Sequence, residues 1–141
     1  MIPARTHIVT LGVTDLSASK AFYERLGWPL SPSSNENIVW FSLEGAKLGL
    51  FPTAELAKDA TVPAEPMIGF RGVTLAINLA SREEVDAAFH HAVESGATPT
   101  KKPVEADWGG YSGYFADLDG HLWELAHNPY IPFAEDGSLI L

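Results

Sequence analysis

Apolar and polar residues alternate along Ile8-Val9-Thr10-Leu11-Gly12-Val13, so Val9, Leu11 and Val13 share one side of a predicted strand and Ile8, Thr10 and Gly12 the other. The period then changes. Asp15 can accept from the free amides of a following helix, and residues 16–26 bring Phe22, Tyr23 and Leu26 together before Gly27 ends it. The same order returns further along. Val73, Leu75, Ile77 and Leu79 lie opposite Thr74, Ala76 and Asn78, and Ser81 with Glu84 makes a capping box. Val85, Ala88, Phe89, Ala92 and Val93 then form one helical stripe, closed by Gly96. Further strands are predicted over 29–35, 38–43 and 47–51 after the first helix, and over 99–106, 110–117 and 121–127 after the second.

Both halves therefore read βαβββ. Module one covers about 6–52 and module two about 72–128. Residues 53–71, with Pro63, Pro66 and Gly69, form a linker, and the tail 129–141 is expected on the surface. The predicted class is α+β, two modules in a single domain making a curved mixed sheet, an open half-barrel with helices on its convex face.

The last hairpin poses a chemical question. Asp119-Gly120 supplies a tight turn, and on the return strand Leu122, Glu124 and Ala126 share a face. A carboxylate between Leu122 and Ala126 points to a cavity lining rather than to bulk water. The alternative is a hydrogen bond to Thr74 or a nearby hydroxyl with no further role.

Composition narrows the options. With 141 residues, 46% of them hydrophobic, the chain can bury a core. The absence of cysteine removes disulfides and thiolate ligands or nucleophiles. A net charge of −9 argues against nucleic acid, which calls for a basic footprint. No apolar run approaches the roughly 18 residues of a membrane span, and no basic segment leads into an apolar one, so a cytoplasmic protein without a membrane partner is expected.

Leu11-Gly12-Val13-Thr14-Asp15-Leu16-Ser17, Ala21-Phe22-Tyr23-Glu24-Arg25-Leu26-Gly27, Ser81-Arg82-Glu83-Glu84-Val85 and the run Phe115 to Leu125 resemble the vicinal oxygen chelate superfamily, which includes glyoxalase I, extradiol dioxygenases and bleomycin-resistance proteins. The resemblance implies a cup between paired modules, a homodimer, and in metal-dependent members a divalent ion held by His, Glu or Gln. By alignment the four ligand positions fall on Ile8, Leu50, Thr74 and Glu124. Only Glu124 carries a good ligand, so no cofactor is expected beyond a weakly bound divalent metal at Glu124. His7 could turn inward only through a β-bulge next to Ile8. His90 and His91 lie off the helical stripe, and His121 faces away from Glu124.

Strand alternation puts Trp40 and Ser42 on the cup side, and Leu48 and Leu50 are set with them. Trp108, Tyr111 and Tyr114 stand among glycines just before the Glu124 hairpin, and His127 lies at the rim. The expected function is a glyoxalase/bleomycin-resistance-like protein that holds a small molecule in an aromatic-lined cup, with Thr74, Asn78 and Ser42 as hydrogen-bonding groups. The alternative is a lyase, isomerase or dioxygenase that uses Glu124 as catalytic acid or base, or through a metal. A third option is a regulatory partner domain with a vestigial pocket.

Overall fold

Strand β1, Ile8–Val13, buries Leu11, Gly12 and Val13 and leads into helix α1, Leu16–Arg25. The helix begins where the Asp15 carboxylate accepts from the Ala18 amide at 2.9 Å, and it ends at Gly27, whose φ of +89° suits glycine. Strand β3, Lys47–Pro52, pairs parallel with β1 on one side and antiparallel with β2, Val39–Ser42, on the other. Phe22, Tyr23, Phe41, Leu48 and Leu50 fill the space between this sheet and α1 and are fully buried. Tyr23 lies edge-on to Phe22 and stacks on Trp28, with ring centroids 5.0 and 5.1 Å apart.

The computed structural model describes residues 1–141, and the chain divides into two compact units, Met1–Met67 and Ile68–Leu141. The second unit repeats the plan. Strand β4, Leu75–Asn78, leads into helix α3, Arg82–Glu94, capped by Ser81. The Ser81 hydroxyl accepts from the Glu84 amide at 3.1 Å, while the Glu84 carboxylate reaches the Ala80 amide at 3.0 Å. Strands β5, Thr98–Glu105, β6, Tyr111–Ala116, and β7, Leu122–His127, complete a four-stranded sheet of order β4-β7-β6-β5, with β4 parallel to β7. The protein is α+β, with two mixed sheets that do not close.

Three expectations need correction. Residues 29–35 form no strand beyond a single bridge, Leu30 to Phe41, because Pro29 and Pro32 offer no amide to a ladder. The Ser34 hydroxyl takes over instead, accepting from the Trp40 amide at 2.9 Å. The segment read wholly as linker contains helix α2, Thr53–Asp59, which half-buries Leu56 and Ala57 and ends near Thr61 at φ +57°. The first strand of the second half begins at Leu75 rather than Val73, which is 58% exposed.

The Glu124 hairpin forms around Asp117, which is buried. Its carboxylate accepts from the amides of Asp119 at 3.0 Å and His121 at 2.9 Å, while Gly120 takes φ +81°. Two backbone donors that a tight turn would otherwise strand are thereby satisfied.

Candidate functional site

The register of the second sheet builds the site. Ala76 of β4 opposes Glu124, Glu124 opposes Tyr114 of β6, and Tyr114 opposes Lys101 of β5. These four residues form one row across the sheet. Their neighbours Phe115, Trp123 and Leu125 point the other way, into the buried layer beneath α3. Glu124 therefore lies on the face away from the helix, half-buried, as strand alternation predicts. Small Ala76 flanks it on one side, and the Tyr114 phenol donates to its carboxylate on the other.

Burial chiefly pushes the Tyr114 phenol above its ordinary pKa of 10.0, with the Glu124 charge and a hydrogen bond to Glu124 adding to the effect. The folded chain thus keeps a proton that the unfolded chain releases. The stability that depends on a neutral, buried Tyr114 is complete below pH 10 and is lost as pH rises through the raised value. Tyr114→Phe should flatten part of the alkaline decline in thermal unfolding temperature. An unchanged decline would show that folding does not raise the Tyr114 phenol. Tyr111 contributes separately, since its phenol is raised first by donating to Asp86 and then by burial.

The other predicted residues are distributed as follows. Asn78 opposes Ala126 and so shares the Glu124 face, whereas Thr74 is exposed and precedes β4. Tyr111 and His127 oppose one another on the helix side. The Tyr111 hydroxyl donates to Asp86 of α3 at 2.8 Å, and the His127 Nδ1 lies 3.0 Å from the Leu79 carbonyl. Neither joins Glu124, because two strand positions of opposite parity cannot share a face. Trp108 is half-exposed and folds its ring over Gly110, where an added Cβ would lie 1.7 Å from it.

In the first unit, Trp40 covers Gly49 so closely that a Cβ there would lie 2.7 Å from its ring and 3.1 Å from the Thr10 hydroxyl. Trp40, Gly49 and Thr10 thus occupy the face away from α1, and Ser42 shares their parity. Leu48 and Leu50, set with Trp40 from the sequence, are instead fully buried on the helix side. Leu50 opposes Leu11 and Val39. Trp40 opposes Gly49 and Phe41 opposes Leu48, so the phase of β2 is not carried across the turn into β3. Within β3 the position matching Glu124 is Gly49, since Gly49 opposes Thr10 in parallel pairing as Glu124 opposes Ala76. His7 precedes β1 and is exposed. The unbroken register from Ile8 to Val13 contains no bulge to turn it.

Two features were not legible beforehand. Lys101 joins the Glu124 row only through irregular pairing of β5, and its ammonium lies 5.8 Å from the Tyr114 ring centroid. A groove of about 460 Å³ lies between α1 and residues 30–39, with Leu16, Lys20, Leu30, Asn35 and Glu36 among its walls. None of the predicted site residues lines it. No three His, Asp or Glu side chains lie close enough together to hold a metal ion.

A parallel first and last strand, a helix between them and the whole arrangement repeated define a paired-module α+β protein. Residues 5–125 match the Glyoxalase/Bleomycin resistance protein/Dioxygenase superfamily, and the chain belongs to it. Among solved structures it is 32% identical to a glyoxalase-related enzyme from Fulvimarina pelagi over 99% of both chains, with a TM-score of 0.89. A glyoxalase/bleomycin resistance protein/dioxygenase from Nocardioides is 27% identical over 90% of this chain and 85% of that one, with a TM-score of 0.76. Lactoylglutathione lyase from Agrobacterium tumefaciens shares the fold at 21% identity, covering 89% and 95% of the two chains with a TM-score of 0.65. No match was found among curated proteins.

Proposed function

We propose that the protein binds a small organic molecule on the Glu124 face of its second sheet and does so without the divalent ion used by metal-dependent relatives. The carrying observation is the Glu124–Tyr114 pair, a carboxylate and a phenol in contact on a half-buried sheet face. Such a pair offers one acceptor and one hydroxyl to a ligand. The family's ligand positions do not fit a metal. Isoleucine at 8 and glycine at 49 have no donor, and the Thr74 hydroxyl is a poor ligand, which leaves one carboxylate. A homodimer in the cytoplasm, by likeness to the family, belongs to the same proposal. A monomer mass in light scattering would remove the dimer.

Acid–base catalysis is the second possibility. The same phenol–carboxylate contact that anchors a ligand can also pass a proton to it, and the 32% identical relative is described as a glyoxalase-related enzyme.

Two measurements test the proposal. Protein incubated with Zn²⁺, Mn²⁺ or Fe²⁺ and desalted should retain far less than one metal per chain, and Glu124→Gln should not change that content. In a thermal-shift screen of metabolites, a ligand at about a hundredfold its Kd should add about 2.7 kcal/mol of stability to the natural protein. Glu124→Gln should lose most of that gain. Stoichiometric metal that disappears in Glu124→Gln would overturn the proposal.

A further inference from the structure

Lys101 is brought to the Glu124 row by two irregularities in β5. Pro99 opposes Phe115, so regular antiparallel pairing would set Thr100 against Tyr114, yet Lys101 stands there instead. A second extra residue follows before Val104 opposes Ser112. Bulges of this kind re-aim a side chain at the expense of ladder bonds. Gly113 makes the close approach possible, because a Cβ there would lie 2.8 Å from the Pro103 nitrogen and 2.9 Å from the Lys101 carbonyl. The outcome is an ammonium over the Tyr114 ring, a phenol, and the Glu124 carboxylate in sequence across three strands. The outer two backbone positions are two strand spacings, about 10 Å, apart.

Lys101 also differs from the unit's arginines. Arg82 is paired with Glu105 at 2.6 Å, and Arg71 donates to the Asp119 carbonyl at 2.8 Å. Lys101 takes part in neither of the ion pairs Lys20–Glu24 and Arg82–Glu105. Its charge is held by an aromatic ring, which leaves the ammonium's donors available to an incoming anion.

We propose that Lys101 and Glu124 select a bipolar ligand, with a carboxylate-class anion held by Lys101 and an ammonium or other hydrogen-bond donor held by Glu124, Tyr114 lying between them. This rests on the Glu124 face being the ligand site. Lys101 then excludes ligands with a positive charge at its end, and Glu124 excludes those with a negative charge at the other. The row also fits the chain's charge of −9, since the anion is met by a locally placed cation rather than by a basic surface.

Titration calorimetry on the full chain tests this with para-aminomethylbenzoate, benzoate and benzylamine as probes. The zwitterion should bind about tenfold or more tightly than either half-probe. Lys101→Met should reduce zwitterion affinity to that of benzylamine, and Glu124→Gln to that of benzoate. Equal affinity of the three probes, absence of binding, or an unchanged zwitterion affinity in Lys101→Met would overturn the proposal. If Lys101→Met has no effect but Glu124→Gln abolishes binding, Glu124 still anchors a ligand and only the bipolar selection falls. If neither variant alters binding, the ligand site itself lies elsewhere. Lys101 is exposed, so its variant should fold, and it decides the matter alone if Glu124→Gln does not.

Discussion

Phe41→Ala should destabilise the first unit by about 3–5 kcal/mol, the largest single-residue effect expected in the chain. Phe41 has no exposed surface, opposes Leu48 within the sheet and lies 5.8 Å from the Tyr23 ring across the sheet–helix layer. It also makes the one bridge that ties Leu30 to the sheet. Truncation would leave a cavity walled by Tyr23, Leu48 and the rigid β3 backbone, with few flexible groups able to fill it. The midpoint of urea unfolding should fall sharply. Val93→Ala, at a helix position already 37% exposed, should shift it by only a small fraction of that amount. A loss below about 1 kcal/mol for Phe41→Ala would mean that the layer is loosely packed.

Gly113→Ala should cost about 1–3 kcal/mol and exceed the cost of Gly110→Ala, although the steric overlap is far larger at Gly110. A Cβ at Gly110 would lie 1.7 Å from the Trp108 ring, but that ring is half-exposed and can swing away. At Gly113 the obstacle is the backbone of β5, the Pro103 nitrogen and the Lys101 carbonyl, held in place by the sheet ladder. The new methyl would have to part β5 from β6 or be accommodated by strain. The same displacement would carry Lys101 away from Tyr114, so Gly113→Ala should also weaken binding of para-aminomethylbenzoate in the fraction that remains folded. Thermal unfolding of both variants decides the order. A Gly110→Ala protein less stable than Gly113→Ala would show that Trp108 is pinned and that β5 is the yielding element.

The two predictions mark different levels of legibility. Phe41 belongs to a pattern visible along the chain, where apolar residues recur with the period of a strand and then of a helix. The same holds for Val85, Phe89 and Ala92 and for the caps at Asp15 and Ser81, because each depends on residues within a few positions of one another. Gly113 is different. In sequence its glycine reads as allowing a close approach by a ligand or another strand, whereas only the fold shows that β5, ten residues away, is what approaches. Leu50 shows the same limit from the other direction. Set with Trp40 and Ser42 from the sequence and aligned to a family ligand position, it stands on the opposite face in the core, because Trp40 opposes Gly49 rather than Leu48 or Leu50.

The sequence by itself determined the α+β class, the repeated strand–helix plan, the turn at Asp119-Gly120 and the face on which Glu124 stands. These follow from local periodicity and turn chemistry, which need no knowledge of distant residues. Tertiary structure alone decided that Tyr111 turns to Asp86, that Gly49 rather than Leu50 matches Glu124, and that Lys101 rather than Thr100 stands beside Tyr114. Each of these depends on register between strands, a long-range pairing that one residue more or less reverses.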